Sequence, residues 1–479
     1  MAASSTGTAS SRLSRIGSRL TDFTVRWVPD AWVVAVLLTA FVWLLAVVAA
    51  DVPFWTSEHA LPACGETKTC GAFDAWSGGI WRLLKLTSQF ALALVAAQAC
   101  ATSRPLHALM DRLAGVANPE RPRQAIVLMA LFSASTAYLN WAVNLVMCAT
   151  FVPIVAARNP KTDFRLLVAT AYLGIGVVWH AGLSGSGPLV AATAGNFLVK
   201  QGILATPLPI ADTLFTPFNL LYVVFITAVA TITVAALHPG QTDAKPLPVE
   251  RARALLTPPA PRPESGSLTP AQRFDHSRIL SLVVGGLVLG HLVTRFLREG
   301  SGGWDINGYN AAFLGLALVL HDSPRTFLAG CEQGAKNAWG IIVQFPLYAG
   351  IFGLMTLTPL AEQMTDWIAA VGTRETYPAV VYALSAVVNY LVPSGGSQFV
   401  IEAPYILAAG AQHGLPHGAT VMAFAYGDMS TNLIQPFWAI PLLSVTGVAF
   451  GEIMGYCMLL FATVSAATLA AVLLMPFVF

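Results

Sequence analysis

The sequence alternates long apolar runs with short charged segments along nearly its whole length. Residues 31–50, 216–237 and 337–360 carry no charged side chain. Each of these runs reaches the roughly 20 residues that a helix needs to cross the hydrocarbon core of a bilayer. The pattern therefore predicts a chain that crosses a membrane several times as helices.

Two apolar runs contain a polar turn near their middle. The run at 125–157 begins and ends next to basic residues and carries Asn140 and Asn144 at its centre, which predicts a re-entrant helical hairpin. Two full spans joined by a tight polar turn are the alternative. The run at 377–410 contains the stretch VPSGGSQFVIEAPYI, residues 392–406, and predicts a second hairpin of the same kind.

Two further runs contain a helix-breaking segment. The run at 164–199 includes WHAGLSGSGP, residues 179–188, whose glycines and proline interrupt a helix. The run at 417–449 includes AYGDMSTNLIQP, residues 425–436. Each run is predicted to cross the membrane as two half-helices joined by an irregular break.

Composition assigns the broad class. Of the 479 residues, 56% are hydrophobic and 10% are charged, with a mean hydropathy of +0.65, whereas soluble proteins carry about 25% charged residues. The net charge of +2 and the absence of a basic patch interleaved with aromatic residues give no support to nucleic-acid binding. The prediction is an all-α polytopic membrane protein in contact with membrane lipid.

Charge also predicts orientation. Residues 1–27 hold several arginines, and the loop after the first apolar run is acidic, so the positive-inside rule places the amino terminus in the cytoplasm. Cys64 and Cys70 share that loop, and both a disulfide and two free thiols are compatible with the sequence.

The chain is predicted to divide into two transmembrane repeats. Residues 28–237 form the first repeat, residues 277–479 form the second, and the proline-rich, basic segment 238–276 has the composition of a cytoplasmic linker.

Aligning the two halves gives ordered matches at offsets of 251 to 254 residues. Tyr138 matches Tyr390 within the hairpins, and Tyr172 matches Tyr426 within the broken helices. Five predicted crossings separate the two hairpins, so the copies would enter from opposite faces as an inverted repeat. In secondary transporters such repeats bring hairpins and broken helices together near the midplane of the bilayer, where substrates and coupling ions bind.

The predicted hairpin tips and breaks contain neutral polar side chains and no lysine or arginine. Hydroxyl groups, amides and helix amino termini can hold one carboxylate, whereas a dicarboxylate usually requires more positive charge. The neutral polar candidates are Asn140, Asn144, Ser184, Ser186, Ser394, Ser397, Gln398, Ser430, Thr431 and Asn432.

Aromatic residues near these tips, namely Trp141, Trp179, Phe399 and Phe437, are candidates to enclose a short aliphatic tail. A small monocarboxylate is therefore the predicted substrate.

Three ionisable side chains embedded in these segments are candidates for ion coupling. His180 and Asp428 adjoin the two breaks, and Glu402 lies within the second hairpin. Each could carry a coupled proton, and Asp428 could join backbone carbonyls around Na⁺. A hydrogen-bonding role without coupling is the alternative for all three. Na⁺ as a coupling ion is the single cofactor considered, and no metal centre is predicted.

The stretches WHAGLSGSGPLVAAT, VPSGGSQFVIEAPYI and NLIQPFWAIPLL together resemble the short-chain fatty acid transporter family, which is similar to a broader ion transporter superfamily. The resemblance covers residues 20 to 479. It implies inner-membrane uptake of acids such as acetoacetate or butyrate, and related folds imply a homodimer. The residues that match the motifs of the family are Trp179, His180, Ser184, Ser186, Ser394, Gly395, Gly396, Gln435, Pro436 and Trp438.

The chain departs from the family pattern at two places. Asp428 and Met429 stand where the family more often has Glu and Gln, and Glu402 stands where it has an apolar or small residue. Both departures involve candidates for ion coupling.

Other functions are compatible with parts of the sequence. A carrier of dicarboxylates or amino acids and an anion channel would use similar tips. Gly182, Ser184 and Gly185 fit the G-x-S-G motif of a rhomboid-type serine protease, but that reading leaves the internal repeat unexplained. The sequence contains neither an H-E-x-x-H nor a Walker motif, so we predict that the protein is not an enzyme.

Overall fold

The computed structural model describes residues 19, 26, 29, 31–56, 70–82, 84–192, 196–200, 202–240, 242–255, 268–299, 306–360, 370–391 and 395–479. Within these residues every regular element is a helix, apart from one isolated bridge between Asp163 and Pro246. The predicted all-α class is confirmed.

The first half contains ten described α-helices. They are α1 Ala31–Ala49, α2 Ala72–Arg82, α3 Leu84–Ala101, α4 Arg104–Ala114, α5 Pro122–Leu139, α6 Trp141–Arg158, α7 Phe164–Val177, α8 Ser186–Ala192, α9 Phe197–Lys200 and α10 Pro217–Leu237.

Two short helices lie in the predicted linker, and eight follow it. They are α11 Val249–Leu255, α12 Pro270–Asp275, α13 Arg278–Glu299, α14 Ile306–Leu320, α15 Pro324–Leu357, α16 Tyr377–Leu391, α17 Gly395–Gln412, α18 His417–Ser430, α19 Ile440–Thr446 and α20 Phe450–Val478.

Four described helical segments are long and apolar enough to cross a membrane, namely Phe164–Ala192, Pro217–Leu237, Arg278–Arg298 and Phe450–Val478. The first of these is 94% buried inside the protein, whereas the other three are 17–28% buried. Because an apolar surface is stable against lipid, the exposed helices form an outer layer. The broken segment Phe164–Ala192 lies in the interior.

Helices α5 and α6 form the first helical hairpin. The chain reverses at Asn140, and the rings of Phe132 and Phe151 meet across the pair with centroids 4.4 Å apart. Pro122 is the first residue of α5. Proline is favourable there because the N–H that it lacks would have no hydrogen-bond partner within the helix. The reversal therefore falls at the polar turn predicted from the sequence.

Helices α16 and α17 form the second helical hairpin. The hydroxyl of Tyr377 donates a hydrogen bond of 3.0 Å to the carbonyl of Ile406 across the pair. The reversal itself, residues 392–394, lies outside the described residues. The orientation of both hairpins in the membrane remains a prediction.

The first broken helix consists of α7 and α8. Helix α7 ends at Val177, a 3₁₀ turn spans Trp179–Ala181, and α8 begins at Ser186. Gly182 is required within this break because a Cβ atom there would collide with the backbone of Tyr138. The break thus allows the chain to approach the tip of the first hairpin closely.

The second broken helix consists of α18 and α19. Helix α18 ends at Ser430 and is followed by 3₁₀ turns at Thr431–Leu433 and Phe437–Ala439 before α19 begins. Both halves therefore place a helical hairpin directly before a broken helix.

Cys70 is disulfide-bonded, and its pairing with Cys64 remains a prediction. Cys64 lies outside the described residues. The free thiols among the described residues are Cys100, Cys148, Cys331 and Cys457.

Candidate functional site

In the first half, the hairpin tip is hydrogen-bonded to the break that follows it. The N–H of Leu183 donates to the carbonyl of Tyr138 at 2.8 Å, and the N–H of Trp141 donates to the Ser184 hydroxyl at 3.1 Å. Asn140 is buried at the end of α5. Unwinding at the break provides the free backbone groups that make these bonds possible.

The second half has an equivalent connection. The side-chain amide of Asn389, on α16, donates to Thr431 Oγ1 and to Asn432 Oδ1, each at 2.9 Å. Thr431 in turn donates to the carbonyl of Ala386 at 2.9 Å. Ser430 accepts a hydrogen bond of 3.2 Å from the hydroxyl of Tyr382. The polar side chains of this break are thus engaged mainly with α16.

The two halves also contact each other through their breaks. The Tyr172 hydroxyl donates to the Gln435 carbonyl at 2.9 Å, and the Asn432 amide donates to the carbonyl of Ile175 at 3.2 Å. Trp141 and Trp438 meet edge to face with centroids 5.2 Å apart. The two breaks and the tip of the first hairpin therefore contact one another.

His180 and Asp428 make a buried polar contact between the halves. His180 Nδ1 lies 2.5 Å from Asp428 Oδ2, and both side chains are fully buried. The N–H of Gly187 donates to His180 Nε2 at 2.9 Å, so Nε2 must have a free lone pair and the proton must be on Nδ1. In this arrangement the imidazole is neutral and Asp428 is the acceptor.

Gly395, the first described residue of the second hairpin's α17, packs directly on this pair. A Cβ atom at Gly395 would lie 2.9 Å from His180 Cε1, 2.9 Å from Trp179 Cη2 and 3.0 Å from Asp428 Oδ2. The Trp179 ring stacks on the His180 ring with centroids 4.3 Å apart. The contact brings the amino end of α17 against the Asp428 carboxylate.

Glu402 is fully buried within the second hairpin. Its Oε2 accepts a hydrogen bond of 2.7 Å from the Ser385 hydroxyl, and its Oε1 accepts one of 2.8 Å from the Gln398 amide. Among the described residues no Lys or Arg forms an ion pair with it. Its hydrogen-bond partners are therefore neutral groups of its own hairpin.

Several buried polar atoms at this site lack a hydrogen-bond partner among the described residues. Such atoms are uncommon in folded proteins, since burial without a hydrogen bond costs about 1–3 kcal/mol. They are Asn144 Oδ1, Trp179 Nε1, Gln398 Oε1, Asp428 Oδ1 and Gln435 Nε2.

Both halves contain a hydrogen bond from a side-chain amide to a serine carbonyl that the sequence did not predict. Asn144 Nδ2 donates to the Ser133 carbonyl at 2.8 Å, and Gln398 Nε2 donates to the Ser385 carbonyl at 2.7 Å. The difference in residue number between Ser133 and Ser385 lies within the range of offsets that aligns the two halves. Neither serine could be predicted as important, because a single serine inside an apolar helix is not a distinctive sequence pattern.

The glycines of the broken helices follow the same pattern. A Cβ atom at Gly174 would collide with the Ser133 carbonyl, and one at Gly427 would lie 3.0 Å from Ser385 Cβ. In each half, a glycine allows the broken helix to lie against the first helix of the hairpin.

The remaining predicted residues have different placements. Ser186 and Gly396 are half-buried and adjacent, because a Cβ atom at Gly396 would lie 3.8 Å from Ser186 Cβ. Ser394 and the side chain of Ser397 lie outside the described residues. Binding and coupling roles for the predicted residues remain predictions.

Apolar helices that surround an interior with interrupted, polar helices define an integral membrane transport protein of the multi-pass type. Residues 12–475 match the short chain fatty acid transporter family. The chain therefore belongs to the short-chain fatty acid transporter family, and the expectation that it is not an enzyme is confirmed.

Two relatives have the printed name "Putative short-chain fatty acid transporter". The protein from Escherichia coli (strain K12) is 34% identical over 449 residues, which is 93% of this chain and 96% of the relative. The protein from Haemophilus influenzae is 30% identical over 454 residues, again 93% of this chain and 96% of the relative.

Two solved transporter structures also align with this chain. The Alcanivorax borkumensis YdaH transporter covers 92% of this chain and 98% of its own, with 16% identity and a TM-score of 0.37. Neisseria gonorrhoeae MtrF covers 97% of each chain, with 14% identity and a TM-score of 0.37.

Proposed function

We propose that this protein is a secondary active transporter for short-chain monocarboxylates of the acetoacetate and butyrate type. The observation that carries the proposal is a pair of buried donors, Trp179 Nε1 and Gln435 Nε2, that have no partner among the described residues. Trp179 adjoins the first break and Gln435 lies within the second. Each is an N–H donor on a neutral side chain and can bind an oxygen of a carboxylate.

The charge of the surroundings supports a substrate with a single carboxylate. No lysine or arginine occurs in residues 133–148, 175–192, 382–402 or 424–441, which include the tips and breaks. A second carboxylate would have no compensating cation from these segments, and burial of an unpaired charge is costly. This disfavours a dicarboxylate.

Aromatic side chains support a short aliphatic tail. Trp141 and Trp438 meet at the site, and Phe399 lies against Phe424 with ring centroids 5.0 Å apart. Phe437 packs edge to face on Trp438 at 4.8 Å. A tail of a few carbons could pack on these rings while its carboxylate faces the polar breaks.

We further infer alternating access in an inverted repeat, with re-entrant hairpins and coupling to H⁺ or Na⁺. The order of hairpin and broken helix, repeated in residues 28–237 and 277–479, supports this proposal. The disulfide at Cys70 supports an outward position for its loop, since disulfides form in oxidising compartments. We infer a cytoplasmic amino terminus from that orientation, and a bacterial inner membrane from the family of the chain.

Ligand-dependent stabilisation of the purified protein tests the substrate class. Because a ligand that binds the folded state alone stabilises it by about 2.7 kcal/mol at 100 times its Kd, we expect acetoacetate and butyrate to raise the midpoint of thermal unfolding. Succinate and alanine should not raise it. Stabilisation by succinate or alanine without stabilisation by either monocarboxylate would contradict the proposal.

The variant Trp179→Phe keeps an aromatic ring at the site and removes the Nε1 donor. We expect it to weaken the stabilisation by butyrate, with a loss of about tenfold or more in affinity, which corresponds to about 1.4 kcal/mol. Trp81→Phe is the matched control, since Trp81 is 70% exposed on α2. Equal effects of the two variants would remove Trp179 from the substrate site.

A further inference from the structure

The Asp428 carboxylate lies beside the amino end of α17. Helix α17 has 18 residues, and the Asp428 carboxylate lies against its first described residue, Gly395. The first N–H groups of a helix have no partner within it and attract negative charge. Asp428 Oδ1 is fully buried and has no hydrogen-bond partner among the described residues. An internal carboxylate thus occupies a location suited to a substrate carboxylate.

We propose, building on the function proposed above, that Asp428 competes with the substrate carboxylate for the amino end of α17 and that one proton taken up by the His180–Asp428 pair resolves this competition. The coupling ion is then H⁺, with one proton bound for each monocarboxylate. Substrate and proton cross together, and their net charge is zero.

The hydrogen bonds of the pair indicate where the proton binds. A proton on His180 Nε2 would require the loss of the bond from the Gly187 N–H. A proton on Asp428 Oδ1 forms a new O–H bond and leaves both bonds of the imidazole in place. The proton comes from water, and no bond of the protein breaks. Oδ1 is therefore the favoured position.

Electrostatics makes the proton necessary for substrate binding. Two carboxylates near one helix end repel each other, and this repulsion is stronger in a protein interior than in water. Protonation of Asp428 removes one negative charge as the substrate adds another.

The other elements packed against α18 also carry ionisable side chains. Besides His180 and Glu402, their ionisable side chains are tyrosines and a cysteine within the helices, and Arg165, Glu452 and Tyr377 near helix ends. The interior ones are Tyr172 on α7, Tyr382 and Tyr390 on α16, Tyr405 on α17, and Tyr456 and Cys457 on α20.

Na⁺ fits the pair less well than H⁺. Na⁺ is a hard cation that requires several oxygen ligands facing it. Asp428 Oδ2 already accepts the Nδ1–H of His180, so Oδ1 is the one oxygen of the pair without a hydrogen bond among the described residues. A proton needs only the one free oxygen.

Calorimetry in two buffers measures the proton directly. Butyrate is titrated into purified protein at pH 7.5, where a carboxylic acid with a pKa of about 4–5 is ionised, in buffers with different enthalpies of ionisation. We expect uptake of about one proton per butyrate and an affinity that falls about tenfold per pH unit above this pH. Saturable binding without proton uptake would overturn this inference and leave the proposed function intact.

Variants identify the group that takes the proton. Asp428→Asn resembles the protonated carboxyl, so we expect its binding of butyrate to be independent of pH, free of proton uptake, and tighter than that of the wild type at pH 8. Glu402→Gln should retain the uptake of one proton. Proton uptake that persists in Asp428→Asn, or that is lost in Glu402→Gln alone, would overturn the assignment to Asp428.

Two further outcomes separate this inference from the proposed function. An increase in butyrate affinity with Na⁺ and without proton uptake would show a sodium-coupled transporter and overturn the inference alone. An absence of binding by acetoacetate, butyrate and related monocarboxylates, in protein that is monodisperse and unfolds cooperatively, would overturn both. The wild-type measurement decides even where a variant does not fold.

Discussion

The side-chain nitrogen of Asn144 donates a hydrogen bond of 2.8 Å to the backbone carbonyl of Ser133. The bond joins the two helices of the first hairpin near its tip, and the same amide also lies within 3.1 Å of the hydroxyls of Ser133 and Thr136. In the second hairpin, Gln398 makes the equivalent bond to Ser385. Each hairpin is thus stabilised internally by an amide that faces its partner helix.

We expect Asn144→Ala to destabilise the protein by about 1–3 kcal/mol, because buried acceptors on α5 lose their donor. The midpoint of thermal unfolding in detergent should fall by several degrees. Asn118→Ala is the control, since Asn118 is exposed in the loop before α5. Equal midpoints for the two variants would show that the amide does not hold the hairpin together.

Gly395→Ala should impair transport. The added methyl group would lie 2.9 Å from both His180 and Trp179, so either these rings or the start of α17 must move, at a cost of about 1–3 kcal/mol. We expect at least a tenfold decrease in the rate of substrate exchange. Gly290→Ala on α13 is the matched control, because its Cβ would have no atom within 4 Å. Undiminished exchange by Gly395→Ala would rule out a close contact at this point.

Stability should depend on pH through His238, which follows α10. Its Nε2 accepts from the N–H of Asp163 at 3.1 Å, and its Nδ1 donates to the carbonyl of Pro239 at 2.7 Å. Burial lowers the pKa of His238 below the usual 6.5, opposed by its bond to Pro239 and by Asp163 and assisted by Arg123. Between the lowered pKa and about 6.5 the unfolded chain binds more protons, so stability is full above about pH 6.5 and falls below it.

The midpoint of thermal unfolding between pH 8 and pH 5 measures this effect. We expect the wild type to lose stability on acidification, and His238→Gln to show a smaller loss over the same range. His276→Gln, at the end of α12, serves as the control. An unchanged pH dependence in His238→Gln would contradict the role of His238.

The location of Cys70 tests the orientation of the chain. In spheroplasts, a membrane-impermeant maleimide should label Cys70 only after reduction of its disulfide by an impermeant reductant. Labelling should be absent from the variant with Cys64→Ser and Cys70→Ser. If the label reaches this loop only after permeabilisation, the loop faces the cytoplasm and the proposed orientation is reversed.

The sequence allowed the breaks to be predicted because they are local. Asn140 interrupts an apolar run, and the glycines after His180 disfavour a continuous helix, so the reversal and the first break lie where the pattern predicts. The contact between His180 and Asp428 could not be predicted, since it joins residues far apart in the chain. The sequence indicated His180 and Asp428 individually as candidates for ion coupling, and the packing of the two halves brings them into contact.

Other parts of the site leave no local signal. Asn389, which holds the second break, is one polar residue in an apolar helix, and its partners Thr431 and Asn432 follow α18. Ser133 and Ser385 are structurally important because glycines of the broken helices pack against them. Such roles depend on tertiary packing, which propensity and hydrophobic pattern do not specify.

Counterflow in proteoliposomes tests the central claim most directly. Vesicles loaded with unlabelled acetoacetate are diluted into labelled acetoacetate, and the passive entry into protein-free vesicles is subtracted. The account predicts saturable, transient accumulation of label that butyrate inhibits and succinate and alanine do not. Monodisperse protein that exchanges succinate or alanine but neither monocarboxylate would contradict it.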